Sequence, residues 1–251
     1  MPDLWSLCRE TLRIAPLAGD LLRLVESQEQ VATSTLVDDL SEQALLEDLL
    51  DIAKPPRRPG TEGLHYLLAT PFRYPPLHHG SRFGGRFEPS LFYGSRTLAT
   101  VLAEAAYYRL VFWTAMAIPP PSGRLVTQHA LLGARYRGER GVRLTELPCA
   151  EYEDVLTHPS DYRPTQRLGR ALREAGVDAV EFASARDPGR GRNVGLFEPR
   201  ALVSRRPLGL QPWLCDTRAD RVVFSGDGGR ALHSFPIEQF LADGVLPRPA
   251  G

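Results

Sequence analysis

The chain has 251 residues, of which 43% are hydrophobic and 24% charged, and its formal net charge is zero. This length suits one large domain, or a medium domain with a smaller addition, and the apolar content is sufficient for a real core. A neutral chain has no overall electrostatic attraction to nucleic acid, so direct nucleic-acid binding is not expected. The apolar runs are too short to span a bilayer and no signal peptide opens the chain, so we expect a cytoplasmic protein without membrane contact.

The N-terminal region is acidic and is predicted to be helical. Residues 1–60 hold 11 acidic and 6 basic side chains, whereas the remainder holds 19 and 24. Apolar residues recur at helical spacing over 4–53. They are Leu17, Leu21, Leu22, Leu24 and Val25, then Leu45, Leu46, Leu49 and Leu50 after a capping Ser41. Residues 54–60 contain three prolines and a glycine, which interrupt any helix. We therefore predict a helical extension over 1–58 and a main domain over 59–251.

Beyond residue 60, loops rich in glycine and proline alternate with short apolar runs and two clear helices. The second helix is entered through Pro164 and closed by Gly176. The helices are expected at 97–113 and 166–175, and the strands at 178–183, 194–197 and 221–224. Short strands mixed irregularly with few helices indicate an α+β domain and argue against a doubly wound sheet.

Metal chemistry is not expected. The three cysteines, Cys8, Cys149 and Cys215, are scattered along the chain and form no CxxC pair. The histidines offer no ligand spacing either. Reduced thiols in a cytoplasm are the plain interpretation.

The segment 72–94 concentrates the residue types that hold a dinucleotide. It contains Arg73, Arg82 and Arg86, several glycines, and aromatic residues that include Tyr93. Arginines bind phosphate oxygens, glycines allow close backbone approach, and aromatic rings stack on flat groups. A glycine-rich hairpin with solvated arginines is the alternative. No GxGxxG element follows a strand here, which disfavours NAD as a redox cofactor.

Two further side chains are candidates for chemistry. Glu104 is the only charged residue in the first three turns of the predicted helix 97–113, and it lies beside the apolar stripe. Its carboxylate is therefore either in a buried ion pair, with Arg73 or Arg86, or catalytic. Ser184 ends a predicted strand, where a turn or cap is the structural alternative. No GxSxG elbow surrounds this serine, so a hydrolase triad is disfavoured.

These motifs resemble the RES domain, a family named for its Arg, Glu and Ser. The resemblance covers about residues 61–224, and the order and surroundings of the motifs make it specific. It is carried by Arg73, the stretch GSRFGGRF, Tyr93 in LFYGS, Glu104 in LAEAAYYR, and Ser184 followed by Asn193.

The chain departs from the commoner family pattern in two places. The interval between Arg73 and the Gly-Gly-Arg element is short, which leaves open whether Arg73 or Arg82 is the key arginine. Phe87 and Glu88 stand where Trp-Asn is frequent, a change expected to affect only local packing. We favour Arg73, because an arginine in an apolar-aromatic opening strand fits the family pattern.

The resemblance implies an α+β fold with an ADP-ribosyltransferase-like split β-sheet core, here with an N-terminal helical extension. It also implies the toxin of a type II toxin–antitoxin pair, which depletes NAD+ by cleaving the nicotinamide–ribose bond through phosphorolysis or hydrolysis. NAD+ is then a substrate, inorganic phosphate is a candidate co-substrate, and no cofactor is required. The implied partner is an Xre-type antitoxin, and a homo-oligomer or a hetero-oligomer with that antitoxin is compatible with the family.

The resemblance further assigns roles to residues. Cleavage builds positive charge on the ribose, which a carboxylate in a partly dry cleft stabilises. Arginines hold the pyrophosphate or an incoming phosphate, and the tyrosine and serine orient the nicotinamide or ribose. The catalytic residues are then Arg73, Glu104 and Ser184, and the NAD+-binding residues are Arg73, Arg82, Arg86, Tyr93, Ser184 and Asn193.

Two other functions remain open. An ADP-ribosyltransferase that modifies a macromolecule shares the first half-reaction, although Leu102 stands where transferases often carry a second glutamate. A non-catalytic interaction module on the same fold is the other alternative. The complete set of arginine, tyrosine, glutamate and serine argues against that module.

Overall fold

The computed structural model describes residues 3–27, 42 and 54–249, and it shows a mixed α+β fold with a large sheet. The helices are α1 (Leu4–Cys8), α2 (Tyr66–Arg73), α3 (Leu98–Ala115), α4 (Glu153–Leu156) and α5 (Arg163–Glu174). The strands are β1 (Ala15–Glu26), β2 (Phe92–Ser95), β3 (Leu125–Arg143), β4 (Ala179–Ala183), β5 (Arg192–Leu196), β6 (Leu210–Thr217), β7 (Arg221–Gly226) and β8 (Ala231–Pro236). Single turns of 3₁₀ helix occur between several of these elements.

The sheet has the strand order β1-β2-β5-β4-β3-β6-β7-β8, and only the β3–β4 pairing is parallel. Strand β1 also pairs with β3, so that β1, β2, β5, β4 and β3 form a closed five-strand ring. The long strand β3 makes this possible: its later half borders β1 and β4, while its first half carries β6. Strands β6, β7 and β8 then extend the sheet as an antiparallel meander.

Helices α3 and α5 pack on the outer face of this sheet. Helix α3 begins at an N-cap threonine, Thr97, whose side chain accepts a hydrogen bond from the Thr100 backbone N–H. Its buried Leu102 and Leu110 join a core with residues of β6 and β7. Helix α5 approaches the 81–84 loop so closely that a Cβ at Gly169 would lie 2.1 Å from the Phe83 carbonyl oxygen. These contacts hold α3 against β6 and β7, and α5 against the 81–84 loop.

The prediction of helix over residues 4–53 is wrong for strand β1. Its inward-facing residues, such as Leu17 and Leu21, contribute to the core inside the ring, while Leu22 and Leu24 pack outward against the core of α3. Because both faces are apolar, the strand lacks the polar alternation of a half-exposed strand, and its leucines also fit a helical period. Helix α1 is the helical part of 3–27, and the predicted helix after Ser41 lies outside the described residues.

The predicted elements of the main domain are confirmed, with small changes at their ends. The helices expected at 97–113 and 166–175 are α3 and α5, and the three expected strands are β4, β5 and β7. Gly176 follows α5 with a φ of +72°, as a C′ glycine should. Arg73 is not in an opening strand, however, because it is the last residue of α2. The ADP-ribosyltransferase-like architecture stays a prediction.

Candidate functional site

The strand register places the predicted polar residues on one face of the sheet. Tyr93 and Ser95 lie on β2 opposite Gly195 and Asn193 of β5, and Asn193 in turn lies opposite Phe182 of β4. Directly opposed residues in an antiparallel pair point to the same side, and so do residues two apart on one strand. This face is the one on which α3 packs. It brings the strand residues towards Glu104.

Ser184 donates a hydrogen bond to Glu104, with 2.6 Å between Oγ and Oε1. The serine is fully buried, and its Oγ accepts hydrogen bonds from the backbone N–H groups of Arg186 at 3.1 Å and Asp187 at 3.0 Å. A hydroxyl has one proton to donate and two lone pairs to accept. Since the two backbone donors occupy the lone pairs, the proton of Ser184 is directed at the carboxylate.

Asn193 is the second donor to the same carboxylate oxygen, at 2.6 Å from Nδ2 to Oε1 of Glu104. The orientation of its amide is set by Ser95, which donates from Oγ to the Asn193 Oδ1 at 2.6 Å. An amide whose oxygen is held by a donor must present its nitrogen to an acceptor. Ser95 therefore orients Asn193, and Asn193 orients Glu104.

Glu104 is held by neutral donors rather than by a cation. In the part of the chain that the structure describes, no arginine, lysine or histidine forms an ion pair with it, and both of its hydrogen bonds end on Oε1. The alternative of an ion pair with Arg73 or Arg86 is therefore wrong for the described residues. The side chain is only partly buried, and Oε2 stays available to a ligand. Among the described residues no cation therefore bonds to this carboxylate directly, and its contacts leave one oxygen without a partner.

Arginine and tyrosine side chains form the surroundings of Glu104. Arg186 is buried, with its guanidinium carbon 3.4 Å from the ring centroid of Tyr107, and it donates to the Tyr162 hydroxyl at 3.2 Å. Arg82 stacks on Tyr162 at 4.5 Å. Burial raises the pKa of Tyr107 to about 12; the positive charges of Arg186 and Arg82 oppose this rise, and the negative charge of Glu104 adds to it. Both arginines and the glutamate therefore share one electrostatic environment.

Tyr93 connects this environment to the glycine-rich segment. Its hydroxyl lies 2.9 Å from Ser81 Oγ and accepts a hydrogen bond from the Phe83 backbone N–H at 3.1 Å. Burial raises the pKa of Tyr93, so the phenol stays protonated. These two bonds fix the residues on either side of Arg82. The guanidinium of Arg82 is held further by the carbonyl oxygens of Leu156 and His158.

Two predicted arginines lie outside the hydrogen-bonded cluster around Glu104. Arg73 donates from Nε to the Pro55 carbonyl oxygen at 2.6 Å and lines a broad groove between α2 and the β3–β6 part of the sheet. Tyr93 also lines this groove, whereas Glu104 and Ser184 are not among the described residues that line it. Arg86 is exposed and stacks on the exposed ring of Phe87 at 5.3 Å.

Sequence reasoning missed four residues of the site: Ser95, Tyr107, Tyr162 and Arg186. Signals for two of them existed. Ser95 lies two residues after Tyr93 on the same strand, and Arg186 lies two residues after Ser184. Neither signal identifies a partner, because Ser95 reaches Asn193 only through the pairing of β2 with β5.

The described residues contain neither a cluster of metal ligands nor a helix that could cross a membrane. Within 3–27, 42 and 54–249, no group of three His, Cys, Asp or Glu side chains is arranged to hold a metal ion. No helix in that part of the chain has the length and apolar character that crossing a bilayer requires.

Comparison with known proteins assigns the family. The model of the RES domain matches residues 55–218. The chain belongs to the RES-domain family. Among solved structures, this RES protein is similar to a chain of the M. tuberculosis MbcT–MbcA toxin–antitoxin complex, with 12% identity and a TM-score of 0.45. That match covers 82% of this chain and 87% of the other. A comparison with curated proteins finds no match.

Proposed function

We propose that this RES protein is the toxin of a toxin–antitoxin pair and that it cleaves NAD+ at the nicotinamide–ribose bond. The observation that carries the proposal is the arrangement around Glu104: two neutral donors hold one carboxylate oxygen, and among the described residues no cation forms an ion pair with it. Breaking the bond leaves positive charge on the ribose ring, and a fixed carboxylate beside that ring stabilises it. RES-family membership supports the same reaction class.

In this mechanism each side chain has a distinct task. Ser184 and Asn193 hold Glu104 through Oε1, so that Oε2 faces the ribose and binds one of its hydroxyl groups. The carbon–nitrogen bond then breaks, and its electron pair leaves with nicotinamide as a neutral molecule. Because the carboxylate is already oriented, little reorganisation is needed as charge develops.

For the diphosphate we propose Arg82, assisted by Arg186, rather than Arg73. Arg82 and Arg186 share the surroundings of Glu104 through Tyr107 and Tyr162, whereas Arg73 lines a groove that includes Tyr93 but not Glu104 or Ser184 among its described residues. Guanidinium groups donate forked, charge-assisted hydrogen bonds to phosphate oxygens. The stacking of both arginines on tyrosine rings keeps these groups in place before a ligand binds.

The acceptor of the ribosyl group is inorganic phosphate or water. In phosphorolysis a phosphate oxygen forms the new bond to the ribose carbon, which gives ADP-ribose 1-phosphate and nicotinamide; with water the products are ADP-ribose, nicotinamide and a proton. Transfer to a macromolecule is the second candidate. The position two residues before Glu104 is the fully buried Leu102, which cannot reach an acceptor, and this weakens the case for transfer.

The proposed partner is an Xre-type antitoxin that inhibits the enzyme. The solved structure to which this chain is similar is a toxin–antitoxin complex, and we propose that this chain likewise binds an antitoxin. An antitoxin that inserts a segment beside Glu104 would block NAD+ directly. Co-purification of the two proteins, followed by loss of turnover on mixing, tests this part.

The deciding experiment measures nicotinamide release from NAD+ by mass spectrometry, with phosphate or with chloride at equal ionic strength. Release that requires phosphate identifies phosphorolysis, and release in both buffers identifies hydrolysis. Glu104→Gln is expected to remove activity in both, whereas the matched control Glu151→Gln, at an exposed position, retains it. Full turnover by folded Glu104→Gln, or no nicotinamide release by the parent protein, contradicts the proposal.

A further inference from the structure

A second carboxylate lies on the opposite face of the same strands. Glu181 of β4 is buried and points into the five-strand ring, as do Ala179 on the same strand and Val194 opposite it. Three arginines surround this carboxylate. The Glu181 cluster, as we name it, consists of Glu181, Tyr136, Arg96, Arg143 and Arg192.

The Glu181 cluster has more positive than negative charge. The arginine–glutamate distances are 3.6 Å for Arg96, 3.3 Å for Arg143 and 3.6 Å for Arg192. Glu146, more than half exposed, lies 3.8 Å from Arg143 and is the nearest further acid. Its charge is matched by that of Arg13, which lines a small cleft together with both residues. An excess of positive charge therefore remains around Glu181.

The donors of the three guanidinium groups are mostly unused. In the part of the chain that the structure describes, their single hydrogen bond runs from Arg96 Nη1 to the Tyr136 hydroxyl at 2.9 Å. Each guanidinium offers several N–H donors, and one carboxylate cannot satisfy three such groups. The side chains are between one third and about one half exposed, so a ligand from solvent can reach them.

The backbone is adapted to this arrangement at Gly19 of β1. A Cβ at this position would lie 1.9 Å from Nη1 of Arg96, so the guanidinium rests directly against the strand where this glycine stands. Arg96 and Arg192 also lie at strand ends joined by a backbone hydrogen bond, from the Arg96 N–H to the Arg192 carbonyl oxygen at 2.8 Å. The ends of strands that close into a ring are frequent ligand sites.

We infer that the Glu181 cluster binds an oxyanion of the phosphate type, held by Arg96, Arg143 and Arg192. The guanidinium N–H groups of three arginines approach the same region from different sides. Such an arrangement suits the oxygens of a phosphate group, whether it is free or part of a nucleotide. The buried carboxylate spaces the arginines and limits the affinity, because it competes with the ligand for the same donors. The site lies across the sheet from Glu104 and does not depend on the proposed NAD+ cleavage.

The test is calorimetric titration of the Glu104→Gln protein, which is expected not to turn over ligands, with inorganic phosphate and, in a separate arm, with ADP-ribose. Sodium chloride at equal ionic strength is the control for screening. We expect saturable binding of phosphate. In the double variant Arg143→Met/Arg192→Met the affinity for phosphate should fall about tenfold or more, because charge-assisted hydrogen bonds are lost. Binding of ADP-ribose with the same dependence on these arginines assigns a nucleotide phosphate as the ligand.

Two further variants make the test specific. Arg137→Met removes an exposed arginine of β3 that pairs with Glu139, and it should leave binding unchanged. Glu181→Gln should tighten phosphate binding severalfold, because the competing charge is gone. The inference is overturned if the Glu104→Gln protein shows no saturable binding of phosphate. It is also overturned if the affinity for phosphate changes neither in the double variant Arg143→Met/Arg192→Met nor in Glu181→Gln.

Discussion

Two carboxylates on opposite faces of strands β4 and β5 show how surroundings determine what an acid can do. Glu104 receives two short hydrogen bonds of 2.6 Å from uncharged donors, and no cation among the described residues forms an ion pair with it. Glu181 receives one hydrogen bond of 3.3 Å from Tyr136 and lies among three arginines that more than cancel its charge. The first arrangement suits stabilisation of a cation, and the second suits retention of an anion.

The largest expected effect separates the two acids. Glu104→Gln should lower the turnover number for NAD+ about a thousandfold, because the fixed negative charge beside the ribose is lost. Glu181→Gln should leave turnover within about threefold and instead lower the free energy of unfolding by about 1–3 kcal/mol, since three partly exposed guanidinium groups lose the carboxylate that offsets their mutual repulsion. Initial rates and urea titrations measure both. Equal losses of turnover in the two variants would remove the distinction.

The next comparison concerns the arginines. Arg82→Met should lower kcat/KM for NAD+ about a hundredfold, because charge-assisted hydrogen bonds to the diphosphate are lost. Arg73→Met should change it less than about threefold, since the groove that Arg73 lines includes Tyr93 but neither Glu104 nor Ser184 among its described residues. Methionine keeps much of the apolar volume of the side chain. The opposite ranking, with Arg73 the more sensitive, would restore the sequence-based preference and move the proposed diphosphate site.

A smaller effect is expected at the serine that contacts Glu104. Ser184→Ala removes one of two donors to Oε1 and leaves the N–H groups of Arg186 and Asp187 without their acceptor. We expect a loss of about ten- to a hundredfold in kcat. Ser160→Ala, in a loop outside these contacts, is the matched control. An unchanged kcat in folded Ser184→Ala would show that Asn193 alone orients the carboxylate.

The smallest effect is expected at Ser95, which acts on Glu104 only through Asn193. Ser95→Ala should lower kcat about three- to tenfold with little change in KM, because the amide of Asn193 is no longer held in one orientation. Ser95→Thr, which retains the hydroxyl, should recover most of the rate. Ser95 would be only structural if Ser95→Ala lowered the stability of the protein without lowering kcat at constant KM. Failure of Ser95→Thr to restore the rate would mean the same.

The sequence predicts the site best where a residue is unusual among its immediate neighbours in the chain. Glu104 stands out because a lone charge beside an apolar helical stripe needs an explanation, and the order of motifs relates it to Ser184 and Asn193. Strand β1 was missed because both of its faces are apolar, which removes the alternation that indicates a strand.

Other features depend on tertiary structure that local patterns do not contain. Whether Arg73 or Arg82 approaches Glu104 depends on how α2 and the 81–84 loop pack, and the short spacing between the two arginines gives no preference. Arg186 is an ordinary loop arginine in the sequence. It becomes part of the site only when Tyr107 of α3 and Tyr162, the residue before α5, meet around it.

The pairing of β1 with β3 has a consequence for how fragments of this protein behave. The family match spans residues 55–218, so a gene trimmed to it would omit β1 and also β7 and β8. The edge of β3 that pairs with β1, from His129 to Gly141, would then be unpaired, and β6 would become an edge strand. Unpaired strand edges of this length pair with strands of other molecules, which leads to aggregation. Such a fragment should precipitate on expression even though it retains Glu104, Ser184 and Asn193.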